Sequence, residues 1–133
     1  MDRQTEESQR RLLMAGSANM FLAVALGAFG AHGLKAFLPP DLMAVFHTAN
    51  QYHVYHALGL LATALALGLF PGSRALRLSG WCLLAGLVIF SGSLYVLSLT
   101  GQRWIGAITP VGGMAFLAGW LLFAAGVWNG RRP

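Results

Sequence analysis

FHTANQYHVYHALGLLATALALGLF, residues 46–70, is the stretch that decides the architecture of this chain. Its later part is almost wholly apolar, whereas His47, Asn50, Gln51, Tyr52, His53, Tyr55 and His56 crowd its first part. The stretch is longer than the roughly 20 residues a helix needs to cross about 30 Å of hydrocarbon. Polar groups at that depth cost free energy, so they are kept where they face protein, water or a ligand, or where they sit at the lipid boundary.

At about 100° per residue these polar side chains point all round the helix, with His56 opposite His47. The segment is therefore either surrounded by protein or interfacial. Counting back about 20 residues from Phe70 places the boundary near Gln51. His47 and Asn50 are then interfacial, Tyr52 and Tyr55 are belt aromatics, and only His53 and His56 enter the membrane.

Composition extends this reading to the whole chain. Of 133 residues, 56% are hydrophobic and 10% are charged, where a soluble domain carries about 25% charged residues. Apolar stretches at 12–33, 46–70, 75–99 and 110–128 are separated by short connectors. The expected fold is all-α, a single antiparallel up-down bundle of four transmembrane helices. Outer loops would fall at 34–45 and 100–109 and an inner loop at 71–74. The first stretch is too long and glycine-rich for a removable signal peptide. Cys82 is the sole cysteine, which excludes an internal disulfide, and it reads as a small apolar filler.

Arg3, Arg10, Arg11, Arg74, Arg77, Arg131 and Arg132 fall on one side of these spans, and Lys35 and Arg103 on the other. Cytoplasmic loops carry the excess of Lys and Arg, so both termini are expected in the cytoplasm of a bacterial inner membrane. The basic residues are scattered in ones and twos without interleaved aromatics, which argues against nucleic acid as a partner. The lipid bilayer is the expected partner, with a larger membrane complex or a second copy as further readings.

Local signals place the helix ends. Thr5 reads as an N-cap ahead of Glu6 and Glu7, whose spacing to Arg10 and Arg11 supports a helix. Gly33 reads as the end of the first helix, Asp41 as the cap of the second, and Pro71 and Gly72 as its stop. Thr109 and Pro110 read as the cap and first position of the fourth. Small residues recur seven apart as Gly16, Ala23 and Gly30 on the first span and Gly112, Gly119 and Gly126 on the fourth. Ser79, Gly86, Ser93 and Thr100 repeat the interval on the third. Such stripes let backbones approach closely, within the bundle or against another subunit.

On this topology His32, the segment around His53 and His56, Ser91, Ser93, Tyr95, Ser98, Thr100 and Thr109 lie towards the outer face. The inner half is nearly all apolar, with Ser17, Asn19, Thr63, Ser79 and Cys82 as exceptions. No Asp or Glu lies within a span, which weighs against an ion-coupled transporter, and the one-sided polarity weighs against a channel. One reading is a belt plus satisfied helix-to-helix hydrogen bonds. The other is an outward-opening pocket in which His53 and His56 meet Ser91, Ser93, Tyr95 and His32, with Gln51 and Tyr52 beside them. Bis-histidine haem or metal ligation is physically reasonable in such a bundle, yet no attachment motif or carboxylate supports it. No cofactor or metal is therefore expected. Ser91-Gly92-Ser93 has no strand-turn-helix context, and Gly27, Gly30 and Gly33 follow no strand, so no enzyme is expected either.

The blocks GAFGAHGLK (27–35), Phe46 with Tyr55-His56-Ala57-Leu58, FSGSLY (90–95) and TPVGG (109–113) with Trp120 resemble the signature of the YgdD/YwdK-type family of small membrane proteins. The resemblance runs from Met14 to Trp120 and implies four spans and no established biochemical function. It places His32, Gly33, Lys35, Gln51, Tyr52, His56, Ser91, Gly92, Ser93, Thr109 and Pro110 at signature positions. Asn50 and His53 stand where many members have Val and Gln, which leaves His56 and His32 as the stronger ligand candidates.

The expected role is a non-enzymatic accessory or binding module, with a transporter or channel subunit as the alternative and a haem or metal redox protein third. A cytoplasm-active reporter fused after Pro133 is expected to work and one inserted near Gln102 to fail; the reverse pattern overturns the orientation.

Overall fold

A computed structural model describes residues 1–131; Arg132 and Pro133, counted in the charge balance above, lie outside the described residues. Helix α1 spans Arg3–His32, α2 Pro40–Leu69, α3 Arg74–Gly86, α4 Gly92–Thr100 and α5 Thr109–Trp128. A π-helical turn, Leu87–Ser91, joins α3 to α4, so Arg74–Thr100 forms one continuous third span. Four helical segments are thus long and apolar enough to cross a membrane. Short 3-10 segments, Leu34–Ala36 and Arg103–Ala107, occupy the two loops at one end.

The helix ends differ from the sequence reading in instructive ways. Asp2, not Thr5, caps α1: its Oδ1 accepts from the Thr5 N–H at 2.7 Å. That bond holds the Asp2 carboxyl below its ordinary range. Thr5 instead lies fully buried, its hydroxyl accepting the Gly72 N–H at 3.2 Å and fastening α1 to the turn after α2. Glu7 pairs with Arg11 as the spacing implies. Asp41 does not cap α2, which begins at Pro40 behind Pro39. Its carboxylate takes a hydrogen bond from Arg103, 62 residues away, and this bond is the main reason its pKa is lowered. The pair ties one loop at that end to the other. At the opposite end Gly72 supplies a left-handed φ of 83° that an L side chain would resist.

In cross-section α2 and the third span form the centre, with α1 and α5 flanking them. Half of the most apolar window of α2 is buried, against 17% for α1 and 22% for the fourth span. Leu60, Ala64 and Leu67 of α2 meet Leu12, Leu76, Leu83, Leu87 and Phe116 in the main core.

Small residues set how closely these helices approach. Gly16, Ala23 and Gly30 are buried against α2, where a Cβ on Gly30 would stand 2.4 Å from the Phe46 ring. Gly112, Gly119 and Gly126 are buried against the third span, facing Phe90, Leu83 and Leu76 in turn. Ser79 donates to the Gly119 carbonyl at 2.8 Å and Gly86 faces Phe116, whereas Thr100 lies exposed beyond the contact. The approach at Gly112 is as tight and is to backbone: a Cβ there would fall 2.4 Å from the Phe90 backbone nitrogen in the π turn.

Gly112→Ala is therefore expected to cost about 1–3 kcal/mol, because backbone cannot move aside as a side chain end can. At neighbouring Gly113 a Cβ has 3.9 Å to Phe90, so Gly113→Ala is expected to leave the melting temperature in detergent unchanged or raised. Equal losses at both positions would contradict this packing.

Candidate functional site

The polar segment of α2 separates into two constellations with different neighbours. The first joins α1, α2 and α4. His53 is 2% exposed, and its Nε2 lies 3.0 Å from Asn19 Oδ1 while its Nδ1 lies 3.0 Å from the Tyr95 hydroxyl. Asn19 spends its amide N–H on the Ala15 carbonyl, and Asn50 Nδ2 donates both to the Tyr95 hydroxyl at 3.1 Å and to the Ala23 carbonyl at 2.8 Å. Because Asn19 Oδ1 can only accept, His53 carries a hydrogen on Nε2. The Tyr95 hydroxyl accepts from Asn50 and bonds His53 Nδ1, which joins the four side chains in one chain. Tyr95 also packs edge-on against Phe46, with ring centroids 5.2 Å apart.

The second constellation joins α2 to α5. His56 Nδ1 donates to the Tyr52 carbonyl one turn earlier at 2.8 Å, and its Nε2 accepts from the Trp120 indole at 3.1 Å. Its ring stacks on Phe116 with centroids 3.5 Å apart and an angle of 10°. Beside it opens a lateral cleft of about 490 Å³, walled by Tyr52, Phe90, Phe116, Leu117 and Trp120. Met114, Leu117 and Trp120 on its rim are exposed along the middle of α5, a part of the span that faces lipid, and its walls are mostly apolar.

Hence the residues of the outward-opening pocket, one of the two readings of the sequence, are divided. His53 and Tyr95 do meet, but His56 turns to Trp120. Ser93 bonds Thr109 at 2.6 Å and the Phe90 carbonyl at 2.9 Å. Ser91 is 1% exposed, and among the described residues its Oγ is the buried side-chain polar atom without a hydrogen-bond partner. It sits in the π turn, where the helical ladder is irregular. His32 is exposed at the end of α1 and takes no part, and Gln51 and Tyr52 lie on the exposed side of α2. Among the described residues no three His, Cys, Asp or Glu side chains converge as metal ligands would.

Three participants were not among the sequence candidates: Asn50, which reads from the sequence as interfacial, Asn19 and Trp120. Asn19 lies on the same helical face as Gly16 and Ala23, three and four residues away, and that shared face was the available signal. Trp120 lies one turn after Phe116, but nothing in the sequence pairs it with His56.

Depth changes as well. Gln9 donates to the Ala64 carbonyl at 3.0 Å and Thr5 holds Gly72, so the last turns of α2 run beside the turns of α1 that bear Glu6, Glu7, Arg10 and Arg11. Those charges stay out of hydrocarbon. The boundary therefore cuts α2 before Phe70, and counting back from Phe70 sets the histidines too near the opposite surface. Their partners agree: Asn19 lies in the middle of α1 and Trp120 in the middle of α5.

Taken together, an all-helical four-span bundle with polar bonds buried at mid-depth defines a multi-pass membrane protein. The family model for proteins of unknown function DUF423 matches residues 26–113. The chain is 48% identical over 110 residues to the UPF0382 membrane protein YwdK of Bacillus subtilis, covering 83% of this chain and 89% of that protein. It is 45% identical over 119 residues to a UPF0382 membrane protein of Staphylococcus saprophyticus, covering 88% and 96% respectively. The chain belongs to this family of bacterial membrane proteins. No solved structure matches it.

Transmembrane side-chain hydrogen bonds average about 0.6 kcal/mol and reach about 1.7. A double-mutant cycle between Asn19→Ala and His53→Leu is expected to show coupling of that size, because contacting residues are not additive. His56→Leu and Ser93→Ala are expected to add independently. Unfolding in mixed micelles measures both; coupling in the second pair alone would overturn the assignment of partners.

Proposed function

We propose that the protein is a non-enzymatic binding module of the inner membrane that takes a lipid-soluble molecule from the bilayer into the cleft between α2 and α5. The observation that carries this reading is the cleft itself, an apolar recess opening sideways at the depth of His56. Ligand sites combine mostly apolar walls with a few placed polar groups. Here Tyr52, 37% exposed, brings a phenol to the wall, and the His56–Trp120 bond fixes two rings in place.

The Asn19–His53–Tyr95–Asn50 chain supports the same reading from behind. It fastens α2 to α1 and α4 through Asn50 and His53, so the adjoining face that carries Tyr52 and His56 can stand apart from α5 without α2 shifting to close the gap. Both histidines use both ring nitrogens within the protein, so their role in this reading is to hold walls rather than to react.

Native mass spectrometry after release from membranes in mild detergent tests the proposal. Gly113 lines the cleft with room beside it, so Gly113→Phe is expected to fill the recess and abolish a lipid-sized adduct carried by the unmodified protein. An adduct that survives this change, or its absence from the unmodified protein, overturns the proposal.

A further inference from the structure

A second recess lies at the other end of the bundle, where the first turns of α1 and α3 diverge. Below it Leu12 fills the space over Gly80, where a Cβ would come within 2.6 Å of the leucine methyl, so the two helices touch there. Nearer the termini they part, leaving a cleft of about 350 Å³ lined by Gln4, Ser8 and Arg11 on one side and by Arg74, Arg77 and Trp81 on the other. Glu7 also lines it, but its carboxylate is taken by Arg11. Asp2 acts on Arg77 only through space, its Oδ1 being held by the Thr5 N–H. Among the described residues neither Arg74 nor Arg77 forms a salt bridge. Two guanidinium groups, a hydroxyl and a side-chain amide therefore converge on this cleft.

A third recess, of about 430 Å³, shares Glu7, Arg11 and Trp81 with this basic cleft and continues along α1 past Met14 and Ala15. Met14 lies one turn deeper than Arg10 and Arg11, on the apolar part of α1. Trp81, 44% exposed, stands where the two recesses join. The sequence of surfaces is thus basic and polar at the end of the bundle, indole at the junction, and apolar along the span.

We propose that this cleft binds an anionic phospholipid, its phosphodiester received by Arg74 and Arg77 and one acyl chain running along Met14 and Ala15. A guanidinium presents donors in a fixed fork that matches phosphate oxygens. Basic pockets between transmembrane helices suit acidic headgroups, and an indole favours the headgroup level. A soluble phosphate ester would satisfy the arginines but leave the apolar continuation past Trp81 unused. The site is separate from the α2–α5 cleft and does not depend on its occupancy.

The test is thermal unfolding of the full chain in neutral detergent, titrated with dioleoyl phosphatidylglycerol or dioleoyl phosphatidylcholine. Phosphatidylglycerol is expected to raise the melting temperature and phosphatidylcholine to leave it unchanged. Each arginine near an anionic surface contributes a factor of about five in binding, so Arg77→Gln and Arg74→Gln are each expected to weaken the midpoint of the titration about fivefold. Arg103→Gln, at the other end of the bundle, is expected to leave it unchanged. Trp81→Ala with both arginines intact is expected to weaken phosphatidylglycerol and leave sn-glycerol 3-phosphate unaffected. Equal shifts with both lipids, a midpoint unmoved by the double variant Arg74→Gln/Arg77→Gln, or a full shift produced by sn-glycerol 3-phosphate alone would overturn the proposal.

Discussion

Hydrocarbon supplies no hydrogen-bond partner, and α2 carries more polar groups into it than any other helix of this protein. That constraint organises the bundle. A helix with polar groups pointing all round leaves fewest of them facing lipid when it is central. On α2 Asn50, His53 and His56 find partners while Gln51 and Tyr55 stay exposed, and α2 is the most buried of the four spans. Its neighbours then supply what its side chains lack: Asn19 and a backbone carbonyl from α1, Tyr95 from α4, Trp120 from α5. The two histidines, one turn apart on α2, take their partners from different helices, so their bonds pin α2 to α1 and α4 on one hand and to α5 on the other. The net value of each bond is small in a membrane, but the alternative, an orphaned polar group at mid-depth, is expensive enough to make the arrangement specific.

Close packing answers a second need. Lipid tails are as apolar as leucine, so helices gain little by hiding leucine from them and associate through contact. The buried glycine rows on α1 and α5 bring backbone against side chain, and at Gly112 against the backbone of the π turn itself. Where small residues stop, the helices part. The lateral cleft beside His56 opens between α2 and α5, which meet through Phe116 and Trp120 rather than through a glycine row. The basic cleft opens above the Leu12–Gly80 contact. Both recesses are thus consequences of where the stripes run.

Asn50 and His53 are the two α2 members of the polar chain with Asn19 and Tyr95. Two polar groups on one helix need partners on two others, and here each has them. His56 belongs instead to the lateral cleft.

How much of this could be read in advance follows from the range of each interaction. The four spans, the stops at Gly33 and Phe70–Gly72, the Glu7–Arg11 pair and the glycine rows depend on residues within a turn or two, or on the length of an apolar run, and these are properties of the sequence itself. The caps were less legible, because Thr5 and Asp41 are good capping residues that were drawn into contacts with Gly72 and Arg103, far along the chain. The candidate site was legible only as a set of polar residues. Helical spacing says which side chains share a face, but not which face of another helix stands opposite, nor how far one helix is displaced along the other. That displacement joins Asn19 to His53, gives His56 to Trp120, sends Ser93 to Thr109 and leaves His32 outside. Residue order determined that this protein spans a membrane four times with its polar groups concentrated on α2; tertiary structure alone decided their partners, because bonds between helices depend on rotation and offset that no single helix encodes.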